Sequence, residues 1–204
     1  MSDDSRPEQI KVRVIRNGLP EPPDNDWSMA SPEERMEAVW TLTQLCLAWN
    51  KPSTSELRLQ ELLLAFNAHN VEYLIVGAHA LAAHGHVRAT KDLDVWVRPD
   101  PSNAQKVLQA LSDFGAPLSD LSVDDLSRKE TIFQIGLPPL RIDIITNIDG
   151  VEFSEAWPDR VETSFGGVPT FVISRHHLIT NKKTAARLQD LADVQQLDAA
   201  EERL

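Results

Sequence analysis

The sequence predicts an α+β domain, a mixed β-sheet flanked by helices with a helical hairpin ahead of it. Three observations predict it. Two apolar helical stretches come first, between residues 31 and 70. Short apolar runs closed by Gly or Pro then alternate with helical periodicity from Val71 to Ile173. A helical region runs from Ser174 to the C-terminus. Helices, then mixed strands and helices, then a helical end fit one sheet-containing core.

Residues 1–30 are rich in Pro, Asp, Glu and Asn and read as a tail or linker, since Leu19 to Asp26 has little to bury. Lys11 to Ile15 alternates and is either a short strand or disordered. Residues 31–70 form the hairpin. Ser31 suits the N-cap, Pro32 the first helical position, and Glu33 and Glu34 the first turn. Met36, Val39, Trp40, Leu45, Leu47 and Trp49 make a wide apolar face, and Pro52 stops the helix. A second helix starts near Ser55 and runs through Leu62, Leu63 and Phe66 to Asn70.

Residues 71–204 form the sheet domain. Val71 to Val76 is a buried strand ending at Gly77, followed by a short helix from Ala78 to His84. Leu93 to Val97 is a second strand, and Ser102 to Phe114 has helical spacing. Thr131–Ile135 and Leu140–Ile145 read as a hairpin across Gly136 to Pro139. Val161–Phe165 and Val168–Ile173 read as another across Gly166-Gly167. The last helical region carries a break near Lys183.

Bulk properties narrow the function. The 204 residues are 42% apolar and 25% charged, which suits a globular protein with one core. The longest apolar candidate, Tyr73 to Ala83, spans 11 residues and contains His79. A membrane-spanning helix needs roughly 18, so no membrane association is expected. The acidic start, Met1 to Ser5, does not read as a signal peptide. Cys46 is the single cysteine, so no internal disulfide can form and a reducing cytoplasm is expected. A net charge of -11 argues against broad non-specific nucleic-acid binding, although a local basic rim could still hold RNA.

The chemistry centres on Lys91-Asp92-Leu93-Asp94-Val95-Trp96-Val97. On a strand, Asp92 and Asp94 share one face while Leu93, Val95 and Val97 point to the other, into a core. Two adjacent carboxylates repel, and a hard divalent cation such as magnesium relieves that repulsion. The competing reading is a solvated strand face. Asp143, a lone acid within Arg141-Ile142-Asp143-Ile144-Ile145, adds a third carboxylate if its strand pairs beside the first. Three such acids can hold one or two magnesium ions against phosphate oxygens. The competing reading for Asp143 is a buried acid paired with Arg141 or Arg88. Gly77-Ala78 follows a strand and opens a helix, where free N–H groups can meet an anion.

Gly77-Ala78, a spacer of 13 residues, Asp92-Leu93-Asp94-Val95 and then Asp143 resemble the signature of the nucleotidyltransferase superfamily, with its polymerase-beta-like fold. The stretch from Leu74 to Val97 resembles small bacterial nucleotidyltransferases of abortive-infection and toxin–antitoxin systems. Asn181-Lys182-Lys183, Arg187 and Asp190 to Asp193 resemble the C-terminal helical motif of that group. The resemblance spans roughly residues 58 to 198.

It implies that Asp92, Asp94 and Asp143 are the catalytic and metal-binding residues, with Mg2+ or Mn2+ as cofactor and a nucleoside triphosphate as substrate. Asp143 would help to activate the attacking hydroxyl. Gly77 and Ala78 would contact the triphosphate, and Lys182 phosphate or base, oriented by Asp190 or Asp193. Arg88 and Lys91, just before the acids, would contact the triphosphate or an RNA end; balancing the acids' charge is the alternative. The acceptor implied is RNA, tRNA above all, or a protein. An antitoxin or a second copy of the chain would dock through residues 31–70, where Trp40 and Trp49 serve either packing or that interface. Two departures from the group stand out. Ala78 replaces the usual Gly or Ser, and Ala186 stands where Gly is frequent.

Two other classes stay open. One is a non-catalytic nucleotide-binding or antitoxin-like module on the same fold. The other is a glycosyltransferase using Asp-x-Asp, against which Asp143 and the Gly77 turn both weigh. His79, His84 and His86 lack a fourth zinc ligand and nearby cysteines, so polar-rim or helix-end roles are expected; His176-His177 are read the same way.

Overall fold

A computed structural model describes residues 27–49, 59–90, 92–119, 121–137 and 140–201. Most of the expected tail, the Lys11–Ile15 run, the helix start at Ser55 and the candidate site residue Lys91 lie outside the described residues.

Helix α1 is Pro32–Trp49. Its start is closed reciprocally: the Ser31 N–H donates to Glu34 Oε2 at 2.7 Å and the Glu34 N–H to Ser31 Oγ at 3.2 Å. Helix α2 is Leu59–Ala68, with Leu59, Leu62, Leu63 and Phe66 buried at helical spacing. Strand β1 (Tyr73–Ile75), helix α3 (Gly77–Ala83), strand β2 (Asp92–Val97) and helix α4 (Pro101–Phe114) follow. Asp100 caps α4 by accepting from the Asn103 N–H, and Gly115 ends it in the left-handed region. Next come α5 (Val123–Ser127), the hairpin β3 (Ile132–Leu137) and β4 (Leu140–Ile145), α6 (Phe153–Ala156), and the hairpin β5 (Val161–Phe165) and β6 (Val168–Val172). Helices α7 (Arg175–Ala185) and α8 (Leu188–Glu201) close the described chain.

The six strands among the described residues form one mixed sheet in the order β3-β4-β2-β1-β6-β5. The hairpin pairs β3–β4 and β5–β6, and the neighbours β1 and β2, are antiparallel; β2–β4 and β1–β6 are parallel. All three residues of central β1 have zero exposure. Covered on both faces, the strand is a continuous apolar run and does not alternate. Each of Leu74 and Ile75 contributes about 1.5–3 kcal/mol by leaving water.

The helices fall into two groups by what they touch. Helix α2 packs on α4 and β6, and α4 on α5. Helix α1 packs on α3 and β5, α3 also on β2 and α7, and α7 on α8. The two apolar N-terminal helices therefore both pack onto the sheet domain. The short helices α5 and α6 have no sequence counterpart, since five and four residues are too few to show a period. The break in the C-terminal helical region falls at Ala186-Arg187, just beyond the expected Lys183. Among the described residues no helix is long and apolar enough to cross a membrane.

Candidate active site

Strand β2 places its acids by alternation. Leu93, Val95 and Val97 are buried, and Asp92 and Asp94 lie between them on the opposite face. Further along that face Trp96 is buried, its ring edge-on to Phe153 with centroids 5.0 Å apart. The polar half of the face is therefore confined to the N-terminal end of the strand. Strand β4 lies parallel to β2 with Asp92 opposite Arg141 and Asp94 opposite Asp143. The expected pairing of the two acid-bearing strands is thus present.

The turn Val76-Gly77 closes the site on the other side. The Val76 N–H donates to the Asp94 carbonyl at 3.0 Å. Gly77 has φ +62, and a Cβ there would fall 2.0 Å from Asp94 Oδ2. No other residue fits, because a Cβ would occupy the carboxylate's place and the backbone lies in the left-handed region. Burial pushes the Asp94 carboxyl up to about 7, and the charges of Asp92 and Asp143 push the same way. Arg141 and Lys182 act against them.

Arg141 stands between two of the acids. Its Nε donates to Asp143 Oδ1 at 2.6 Å, and one terminal nitrogen donates to Asp143 Oδ2 at 2.8 Å and to Asp92 Oδ2 at 3.0 Å. The pairing of Asp143 with Arg141, weighed from the sequence as the rival to a metal role, is therefore in place. Arg88, the other partner weighed, turns to Asp193 at 3.3 Å. Two further groups complete the polar shell. Thr90 Oγ1 donates to Asp92 Oδ1 at 2.8 Å, and Gln134 Nε2 donates to Asp143 Oδ2 at 3.3 Å. Thr90 was missed although it lies two residues before Asp92. Gln134 is opposite Asp143 in the β3–β4 register, which no single strand reveals.

Lys182 on α7 is 4% exposed and donates to Asp190 at 2.9 Å and Asp193 at 2.6 Å. Asp193 thus joins Lys182 to Arg88. The Lys182 ammonium is engaged with Asp190 and Asp193 and reaches the acid cluster through its field. Ala186, at φ 52, ends α7 in the left-handed conformation that Gly usually supplies.

The donor set fits a hard cation: three carboxylates on two paired strands, with one carboxyl raised by burial and by the other two. The carboxylate oxygens do not draw together as a ready three-ligand group. Among the described residues, the cluster whose ligand atoms all lie within 4.8 Å of one another is Asp159, His176 and His177. A cation entering between Asp92 and Asp143 would have to shift Arg141.

Of the other histidines, His84 stands at a helix end as expected, the C-cap of α3, and His79 departs from expectation. His79 belongs neither to the rim nor to a helix end. It is 3% exposed, its ring edge-on to Phe165 at 5.7 Å, and burial lowers its pKa to about 4. Neither ring nitrogen has a hydrogen-bond partner among the described residues. His84 Nε2 lies 2.7 Å from the Ile173 carbonyl.

The family described as "Nucleotidyltransferase of unknown function (DUF6036)" matches residues 56–202. No curated protein matches the chain. Among solved structures, a nucleotidyltransferase from Thermotoga maritima is similar, with 12% identity, 72% of this chain and 91% of that chain covered, and a TM-score of 0.46. The lincosamide antibiotic adenylyltransferase LnuA, bound to lincomycin, has 19% identity, coverage of 73% and 99%, and a TM-score of 0.48. An antigenic nucleotidyltransferase-like protein from Paracoccidioides brasiliensis has 14% identity, coverage of 71% and 76%, and a TM-score of 0.42. At these identities and scores the likenesses are distant, and the family match alone carries the assignment.

Proposed function

From the premise that the chain belongs to this nucleotidyltransferase family, we propose that it moves a nucleoside monophosphate from a nucleoside triphosphate to a hydroxyl acceptor. The acceptor oxygen forms a bond to the α-phosphorus, the bond from that phosphorus to the bridging oxygen breaks, and pyrophosphate leaves. The observation that carries this reading is the register that sets Asp94 beside Asp143, with Gly77 against Asp94.

Asp92, Asp94 and Asp143 would hold magnesium or manganese, which neutralises phosphate charge during in-line transfer. Asp143 accepts the hydroxyl proton. Gly77 and Ala78 let the triphosphate approach the backbone at the start of α3, and the Ala78 side chain adds no hydroxyl contact. Arg141, once released from Asp92 and Asp143, would be free to meet the same phosphates. Arg88 and Lys182, tied through Asp193, set the field from the other side, and Asp190 holds Lys182 in place. Lys91, one residue before Asp92 in the sequence, would contact the triphosphate or an RNA end. Most of the rate enhancement on this reading is positioning and electrostatics. RNA, above all tRNA, or a protein side chain is the acceptor, and the activity is that of a toxin in a toxin–antitoxin or phage-defence pair.

One observation favours a second reading. Arg141 already satisfies two of the three acids, as it would in a module that binds nucleotide without turnover.

The test is incubation of the chain with each α-labelled nucleoside triphosphate, magnesium and a cell extract, beside Asp92→Ala. Label in RNA or protein with the wild type alone supports transfer and names the acceptor. Equal labelling by the variant overturns the metal role. Magnesium-dependent nucleotide binding with no labelled product supports the second reading.

A further inference from the structure

We propose that Asp159, His176 and His177 form a second metal site, for a transition-metal ion of the zinc type, separate from the carboxylate cluster. His176 and His177 are the second and third residues of α7, and Asp159 lies in the turn after α6. Each offers one ligand atom, and these atoms all lie within 4.8 Å of one another. The sequence alone offered two adjacent histidines and no further ligand; the fold supplies Asp159 from 17 residues upstream of His176.

Ser174 is what makes the pair more than two neighbouring rings. Its hydroxyl oxygen is 3.1 Å from His176 Nδ1 and 2.9 Å from His177 Nδ1. One hydroxyl oxygen has two lone pairs and can accept from both rings. Both rings are then Nδ1–H tautomers, and both Nε2 lone pairs are free. A hydrogen bond of this kind on the far nitrogen orients a ligating histidine. The ring centroids are 3.9 Å apart at 40°, so the two rings lie side by side. Asp159 Oδ2 is 3.5 Å from His176 Nε2.

The carboxylates of Asp159 and Glu155 offset the positive start of α7 for a bound dication.

Two imidazole nitrogens and one carboxylate suit zinc, cobalt, nickel or copper. The oxygen-only set of Asp92, Asp94 and Asp143 suits magnesium. The two sites should therefore separate by metal. A metal here would tie the turn after α6 to the start of α7, the helix that carries Lys182.

The experiment is equilibrium dialysis of the untagged full chain against zinc in excess magnesium, followed by the visible absorption of a cobalt-loaded sample. One zinc per chain is expected, with cobalt bands of a nitrogen-and-oxygen site. His177→Ala, His176→Ala and Asp159→Asn should each weaken binding at least about tenfold, and Ser174→Ala about ten- to hundredfold. Asp92→Asn should leave binding unchanged. His176 and Asp159 side chains are 63% and 54% exposed, so variants there keep the fold, as matching metal-free melting curves would verify. Failure to retain zinc, displacement by magnesium, or unchanged binding in the His176→Ala/His177→Ala double variant overturns the site.

Discussion

Gly77 leaves room for Asp94: a Cβ on the glycine would sit 2.0 Å from Asp94 Oδ2. Gly77→Ala must move that carboxylate or the turn. Misplacing a catalytic group by about 1 Å lowers turnover roughly a hundredfold. Nucleotidyl transfer by Gly77→Ala is expected to fall by about that factor. The left-handed backbone at Gly77 also predicts a stability loss of about 1–2 kcal/mol, read by urea unfolding. An active Gly77→Ala variant would remove the turn from the site.

The Asp94 carboxyl, raised to about 7 by burial and by Asp92 and Asp143, makes metal-free stability depend on pH. In the unfolded chain this group titrates near about 4. Between those values the folded state keeps a proton that the unfolded state has lost. The contribution is therefore full below about pH 4 and is lost as pH rises through about 7. Asp94→Asn should flatten this part of the stability curve, measured by denaturant midpoints from pH 5 to 8 in chelator. Magnesium should restore stability to the wild type at pH 8 and not to the variant.

Lys182 is buried between Asp190 and Asp193. Lys182→Met leaves two carboxylates facing each other without their cation. Removing one partner of such a cluster is expected to lower unfolding stability by about 3–5 kcal/mol. Lys182→Arg, which keeps the charge, should lose distinctly less. The same loss in both variants would show that packing, not charge, holds α7 to α8.

Ala186 holds a left-handed conformation at φ 52. Ala186→Gly relieves a side-chain clash of about 1 kcal/mol, so the melting temperature should rise. The local turn is already shaped for a glycine, so activity should be unchanged. A fall in stability would mean that the alanine methyl packs.

The sequence made the strands legible where burial is one-sided or complete. Val71 to Val76, Leu93 to Val97 and the two hairpins could be read because alternation or a short apolar run ended at Gly or Pro. The acid pair was legible for the same reason: a strand period of two puts Asp92 and Asp94 on one face. The side-chain partners across strands and turns were not legible. Gln134 beside Asp143, Arg141 bridging to Asp92, and Asp159 beside His176 all depend on register or on a turn's path. No periodicity encodes these. His79 shows the opposite failure. A polar residue in a short helix of small residues reads as a rim group, yet the tight packing of α3 against β2 and α1 buries it.

The parallel pairing of β2 with β4 has a temporal side. Asp94 and Asp143 are 49 residues apart along the chain, and α4, α5 and β3 must be laid down between them. Contacts this distant in sequence form late, after the loop entropy of the intervening segment has been overcome. A growing polypeptide therefore carries its first two acids well before the third emerges, and Lys182 and Asp193 later still. Any chemistry that needs all three acids is withheld from every unfinished copy. A cut in the crossover before β3 would divide the site into two fragments, each lacking part of the carboxylate set.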